Sequence, residues 1–128
     1  MDAQAQDLLV MRAFGLAVAV APLRDLYIET LVKTLTGEGL RTESIDFNSG
    51  ERLAFADSAD RRKLGHVWCT SCMTMVGSVR LRQIARLLAD TDVEGDFAEV
   101  GAWRGGVAML ARAVRMAVSS GGAGSGDR

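Results

Sequence analysis

The stretch Asp96-Phe97-Ala98-Glu99-Val100-Gly101-Ala102-Trp103-Arg104-Gly105-Gly106 reads as a short apolar strand, an acid at its end, a glycine-rich turn and the start of a helix. Phe97 to Val100 is short enough to be a central, buried strand. An open α/β sheet binds its ligand beyond the carboxyl ends of its strands, which is where Glu99 would sit. Gly101 lacks a Cβ, so the backbone can turn sharply and a small molecule can lie against it. Gly105 and Gly106 free the start of a helix, whose N–H groups favour negative charge. By spacing alone, packing without any ligand explains these glycines equally well.

Outward from this stretch the chain alternates between strong helices and polar connections. Val107 to Val118 carries Val107, Met109, Leu110, Val114 and Val118 at helical spacing, and Ser78 to Asp90 carries Leu81, Ile84, Leu87 and Leu88. Arg80, Arg82 and Arg86 fall elsewhere on the second helix and read as a solvated face rather than a basic patch. Arg24 to Leu35 places Leu26, Tyr27, Leu31 and Leu35 on a third helix, started by Pro22 and stopped by Gly37 and Gly39. Between them Glu38 to Gly65, with the charged run Asp57 to Lys63, reads as loop or lid with one short helical piece around Arg52 to Phe55. Asp92 to Gly95 is a turn. Residues 119–128 are glycine- and serine-rich and read as a flexible tail.

Composition sets broad limits. With 48% hydrophobic and 24% charged residues the 128-residue chain fits one ordinary globular domain. A net charge of −1 points to neither nucleic acid nor a membrane surface. Residues 1–22 form an apolar extension, but its run from Ala13 to Ala21 is far below the ~20 residues that span a bilayer. Asp2 and Asp7 precede that run where a secretory signal would be basic, so a cytoplasmic location is expected. Cys69-Thr70-Ser71-Cys72 has the spacing of a redox pair, yet Gly65 to Trp68 is a poor strand to carry it. His66, Cys69 and Cys72 offer three zinc ligands where structural zinc takes four.

A longer pattern is more specific. Gly95 to Gly106 closely resembles the Gly-Asp-Phe/Leu-x-Glu-Thr/Cys-Gly-Val-Trp-Arg/Lys-Gly-Gly segment of the macrocin O-methyltransferase (TylF/MycF) family. Thr74-Met75-Val76-Gly77-Ser78-Val79-Arg80-Leu81 is similar to that family's Thr-Met-x-Gly/Ser-x-x-Arg-Leu segment, Leu26 to Thr36 to its first helix, and Gly65-His66-Val67-Trp68 to its Gly-Arg-Asp-Trp stretch. The matches keep the family order over residues 23–117. Val67 and Cys69 stand where the family often has Asp and Pro, and Val100 and Ala102 replace Thr/Cys and Val.

The resemblance implies S-adenosylmethionine (SAM)-dependent, Mg2+-assisted O-methylation of a hydroxyl on a sugar or natural product, a small-molecule acceptor. Glu99 would hold the methionine end of SAM, by its ammonium. Gly101, Ala102, Trp103 and Arg104 would line that end, and Thr74 and Met75 would close over it, with Tyr27 a weaker candidate. The implied fold is α/β: N-terminal helices plus the first strand-turn-helix unit of a Rossmann-like methyltransferase, over residues 23–118. The family's ribose-binding acid, metal-binding carboxylates and catalytic base lie on later segments. The chain therefore reads as an N-terminal part, with neither catalytic nor metal-binding residues of its own. A lone strand with two unpaired edges favours self-association. The alternative function is a non-catalytic helical fragment that binds partners through its apolar faces.

Overall fold

The computed structural model describes residues 20–119. Its elements are α1 (Val20–Thr36), β1 (Ser44–Asp46), β2 (Arg52–Leu53), α2 (Phe55–Leu64), β3 (Val67–Cys69), α3 (Ser78–Asp90) and α4 (Gly106–Ser119). The apolar extension up to residue 19 and the tail from residue 120 lie outside the described residues, and α1 runs across position 22.

Helices α1, α3 and α4 pack around Val32, Leu35, Leu81, Ala85, Val107, Leu110 and Val114. These positions recur at three- and four-residue intervals, so each helix turns one stripe inward. The stripes differ in detail from the expected ones. On α1 the inward face is Ile28, Leu31, Val32 and Leu35, whereas Leu26 and Tyr27 are more than half exposed, at 61% and 52%. Leu87 of α3 and Met109 of α4 are likewise exposed, their places taken by Ala85 and Ala111. Small residues at these seams let helix backbones approach, and larger apolar neighbours just off the stripe are left outside. Arg82 is not simply solvated. It donates to both carboxylate oxygens of Glu29 on α1, at 2.8 and 2.7 Å, and to Glu38 at 3.3 Å. The Arg82 hydrogen bond holds the Glu29 carboxyl below its usual range.

The stretch expected to be a loop, Glu38 to Gly65, instead holds β1, β2 where a short helical piece was expected, and α2; with β3, formed where Gly65 to Trp68 read as a poor strand, it makes a small antiparallel sheet, order β2-β1-β3, backed by α2. Ser44 faces Cys69, Ile45 faces Trp68 and Asp46 faces Val67. The strands are three, two and three residues long, too short to give a period-two signal. Side chains fix them instead. Asp46 accepts the N–H groups of Asn48 and Ser49 at 2.8 and 3.0 Å, closing the β1–β2 turn, and pairs with Arg61. Those backbone hydrogen bonds, with Arg61, keep the Asp46 carboxyl below its usual value. The charged run from Asp57 to Lys63 is helix α2, with its acid in the first turn and its cations in the last, as the helix dipole favours.

Arg62 is 3% exposed and binds the hairpin to its surroundings. Its guanidinium donates to Ser44 Oγ at 2.5 Å, to the Gly37 and Leu40 carbonyls at 3.0 Å each, and to the Thr42 carbonyl. The end of α1, the 40–42 connection, β1 and α2 thus converge on one side chain.

The strand expected at Phe97 to Val100 does not form. Phe97 is 40% exposed and Val100 fully so. A strand requires a neighbour to take its N–H and C=O groups, and among the described residues none is alongside. A groove of about 470 Å³ opens between residues 95–97 and α4. The described fold is therefore mixed helix and antiparallel sheet, without a parallel βαβ pair.

Two outcomes follow. Arg62→Met leaves the buried Ser44 hydroxyl and the Leu40 and Thr42 carbonyls without this donor, while the Gly37 carbonyl keeps the Leu40 N–H, and urea unfolding should show a loss of about 3 kcal/mol or more; a loss below about 1 kcal/mol would contradict the anchoring role. Asp46, with its lowered pKa, stabilises the fold fully above the ordinary aspartate value of about 4. That contribution is lost as pH falls below it through the folded-state pKa. Asp46→Asn should flatten the acid limb of a stability–pH curve over that window, and an unchanged limb would refute it.

Candidate functional site

The site is built around the peptide of Met73. Its N–H donates to the Leu35 carbonyl at the end of α1, at 2.8 Å, and its carbonyl accepts the Gly106 N–H that opens α4, at 3.1 Å. A Cβ on Gly106 would stand 2.5 Å from the Met73 oxygen and 2.8 Å from the Thr74 Cβ. Only glycine permits this approach. A second close approach sits at the other end of the same loop, where a Cβ on Gly77 would lie 2.4 Å from the Gly65 nitrogen. Between these joints Thr74 is buried, and its Oγ1 accepts the Val76 N–H at 3.1 Å, shaping the bend that presents Met75.

The glycine-rich turn meets this loop from the other side. Glu99 caps α4: its Oε2 accepts the Ala108 N–H at 3.1 Å, satisfying one of the helix's orphan donors. Arg104 donates from Nη1 to the Thr70 and Cys72 carbonyls, each at 2.9 Å. Its guanidinium lies 4.0 Å from the Trp103 ring centre, and Trp103 meets Trp68 edge-on at 5.1 Å and 79°.

Loop and turn enclose a cleft of about 110 Å³. Thr74, Met75, Glu99, Gly101, Trp103 and Arg104 all line it, so residues 25 positions apart in sequence come together as expected. Ala102 does not line it, and neither does Tyr27, which is exposed on α1. Met73, Val76 and Gly106 complete the wall. The Gly105-Gly106 pair pointed to Gly106, although as a helix start; nothing in the sequence marked the Met73 peptide. A larger groove of about 330 Å³ between α1 and α3 is less suited to a ligand, because Glu29 and Arg82, which line it, satisfy each other.

Cys69 and Cys72 are buried free thiols packed under the cleft. Cys72 Sγ lies 2.7 Å from the Cys69 carbonyl and 2.9 Å from the Thr74 carbonyl, and Cys69 Sγ lies 2.9 Å from Thr42 Oγ1. Burial pushes the Cys72 thiol up, and both buried side chains pack the base of the loop. His66 is exposed while both cysteines are buried, and among the described residues no group of three His, Cys, Asp or Glu side chains is placed to hold a metal ion.

The macrocin-O-methyltransferase (TylF) family profile matches residues 24–122, from α1 through α4. The chain belongs to this family. Among its relatives, the 8-demethyl-8-(2,3-dimethoxy-alpha-L-rhamnosyl)-tetracenomycin-C 4′-O-methyltransferase of Streptomyces olivaceus is 39% identical over 97 residues, covering 71% of this chain and 35% of that protein. The demethyldecarbamoylnovobiocin O-methyltransferase of Streptomyces niveus is 33% identical over 96 residues, covering 70% of this chain and 35% of its own length. The chain thus spans about a third of the length of these curated relatives. No solved structure matches. Both joints of the loop, at Gly77 and Gly106, fall within the region matched by the TylF family, as does the whole cleft. Among the described residues no helix is long and apolar enough to cross a membrane.

The close approach at Gly106 is testable by size. Gly106→Ala should destabilise the chain by about 1–3 kcal/mol through overpacking, whereas Gly39→Ala, where a Cβ meets nothing within 4 Å, should be near neutral. Equal effects in urea unfolding would show that the Met73 contact is not tight.

Proposed function

We propose that this chain forms part of a SAM-dependent O-methyltransferase acting on a hydroxyl of a sugar or other natural product, and that its cleft takes the methionine end of SAM. The observation that carries this reading is the meeting of Glu99 and the glycine-rich turn with Thr74 and Met75 in one small cleft. Family membership and the O-methyltransferase names of both relatives support the reaction class. The first relative's name includes a rhamnosyl group, which supports a glycosylated small-molecule acceptor.

The donor set fits the methionine end. A carboxylate offers about four lone-pair sites, and the Ala108 N–H engages Glu99 at one oxygen, so capacity remains for an ammonium. A Cβ at Gly101 or Gly105 would meet nothing within 4 Å, so space lies beside the turn for a ligand's backbone-like atoms. The cleft of about 110 Å³ is smaller than the ~300 Å³ or more of a complete small-molecule site. It suits one end of a cofactor whose nucleoside end is held by further segments of a longer polypeptide. On the same reading, residues 96–100 become the first parallel strand of a Rossmann-like sheet once such a segment pairs with them.

Bound SAM supplies an electrophilic sulfonium methyl for transfer to the acceptor hydroxyl. The residues here bind and orient: Glu99 fixes the ammonium, the turn from Gly101 to Arg104 shapes the wall, and Thr74 and Met75 cover it. Such positioning makes a bimolecular transfer effectively unimolecular. The Mg2+ that the family implies finds no set of ligands among the described residues, so no step is drawn through it. A partner set without nucleic acid fits the net charge of −1.

Calorimetric titration with S-adenosylhomocysteine tests the reading. Glu99→Gln keeps an oxygen to cap Ala108 and removes the charge, so binding should weaken by about tenfold or more, the worth of a hydrogen bond to a charged group, with stability nearly unchanged. Equal affinity in the two proteins would remove Glu99 from the site.

A further inference from the structure

We propose that Arg104 is a positioning residue: it latches the 70–75 loop to the glycine-rich turn and so sets the cleft, instead of contacting the cofactor. This inference rests on the function proposed above and changes the role expected for Arg104 within it.

One guanidinium nitrogen of Arg104 already donates to two carbonyls of the loop, Thr70 and Cys72, both at 2.9 Å. The flat face of the group is also committed, 4.0 Å from the centre of the Trp103 ring. Trp103 in turn packs edge-on against Trp68 of β3, at 5.1 Å. Turn, loop and sheet are thereby joined through one planar cation. The acceptors lie just before Thr74 and Met75, the residues that cover the cleft. Release of Arg104 would leave this part of the loop held by the Met73 peptide, with its bonds to Leu35 and Gly106, by the turn bond from Cys72 N–H to the Cys69 carbonyl, and by the local bonds of the Cys72 thiol and the Thr74 hydroxyl, while the Thr70 and Cys72 carbonyls lose their tie to the glycine-rich turn.

The geometry also explains why arginine stands here. Its guanidinium can stack on an indole while donating in its own plane, which the ammonium of lysine cannot do. Lysine can still donate to both carbonyls. Arg104→Lys should therefore keep part of the latch, and Arg104→Met should remove it.

Hydrogen exchange read by mass spectrometry on the 128-residue protein separates the possibilities. In Arg104→Met, amides of residues 70–76 should exchange faster by about tenfold or more, the worth of hydrogen bonds to a charged donor, while those of α3 keep their rates. The Kd for S-adenosylhomocysteine should rise by a similar factor, and Arg104→Lys should recover part of both effects. Should α3 also lose protection in the methionine variant, the lysine variant carries the test, with a partial effect confined to residues 70–76 expected. Weaker binding with unchanged exchange at 70–76 would overturn the latch in favour of direct contact. Unchanged exchange and unchanged affinity would overturn it outright. If the unaltered protein binds no S-adenosylhomocysteine, the proposed function and the latch's link to the cofactor both fall, and the exchange rates alone decide whether the latch exists.

Discussion

Everything that brings the candidate site together passes through one peptide group. The Met73 N–H is spent on the carbonyl that ends α1, and the Met73 carbonyl on the N–H that begins α4. Two helices that pack side by side around Leu35 and Leu110 are thereby also tied end to start by a loop residue. The tie works only because position 106 carries no side chain, since a Cβ there would fall inside the contact distance of the Met73 oxygen. That constraint sets the distance between the loop bearing Thr74 and the turn bearing Glu99, and hence the width of the cleft.

The rest of the structure supports this joint from outside. The three-helix core fixes where α1 ends and α4 begins. The small sheet and α2 fix the path by which the chain reaches residue 70, and a buried arginine holds that unit to the end of α1. A buried guanidinium is stable only when its donors are satisfied, and Arg62 finds a hydroxyl and three carbonyls. Below the loop, Cys69 and Cys72 fill space with small side chains, and their hydrogen bonds run to carbonyl and hydroxyl groups. Polar groups thus shape the connections, and apolar stripes hold the helices they connect.

The sequence was legible where a pattern repeats over several turns. Helix α3 spans Ser78 to Asp90 as its periodicity predicts, and α4 differs from its expected range by one residue at each end. The meeting of Thr74 and Met75 with Glu99, Gly101, Trp103 and Arg104 was legible from family resemblance, not from local periodicity. The sheet was not legible, because Ser44–Asp46 and Arg52–Leu53 are too short for their alternation to register, and side chains acting across 15 to 25 residues, Asp46 and Arg62, hold the sheet in place. The reading of residues 97–100 as a strand rested on composition, yet a strand's existence depends on a neighbour's hydrogen bonds. Ala85 is illegible for a different reason: hydropathy favours Leu87, although the seam between the helices takes the smaller side chain.

The central claim is that the cleft between the 73–76 loop and the 101–106 turn receives the methionine end of SAM. Amide chemical shifts during a titration with S-adenosylhomocysteine would locate the ligand residue by residue. The account predicts saturable shifts at Thr74, Met75, Gly101 and Gly106, with α2 and the far end of α3 unmoved. Shifts centred instead on the groove between α1 and α3, or none at saturating ligand, would contradict it.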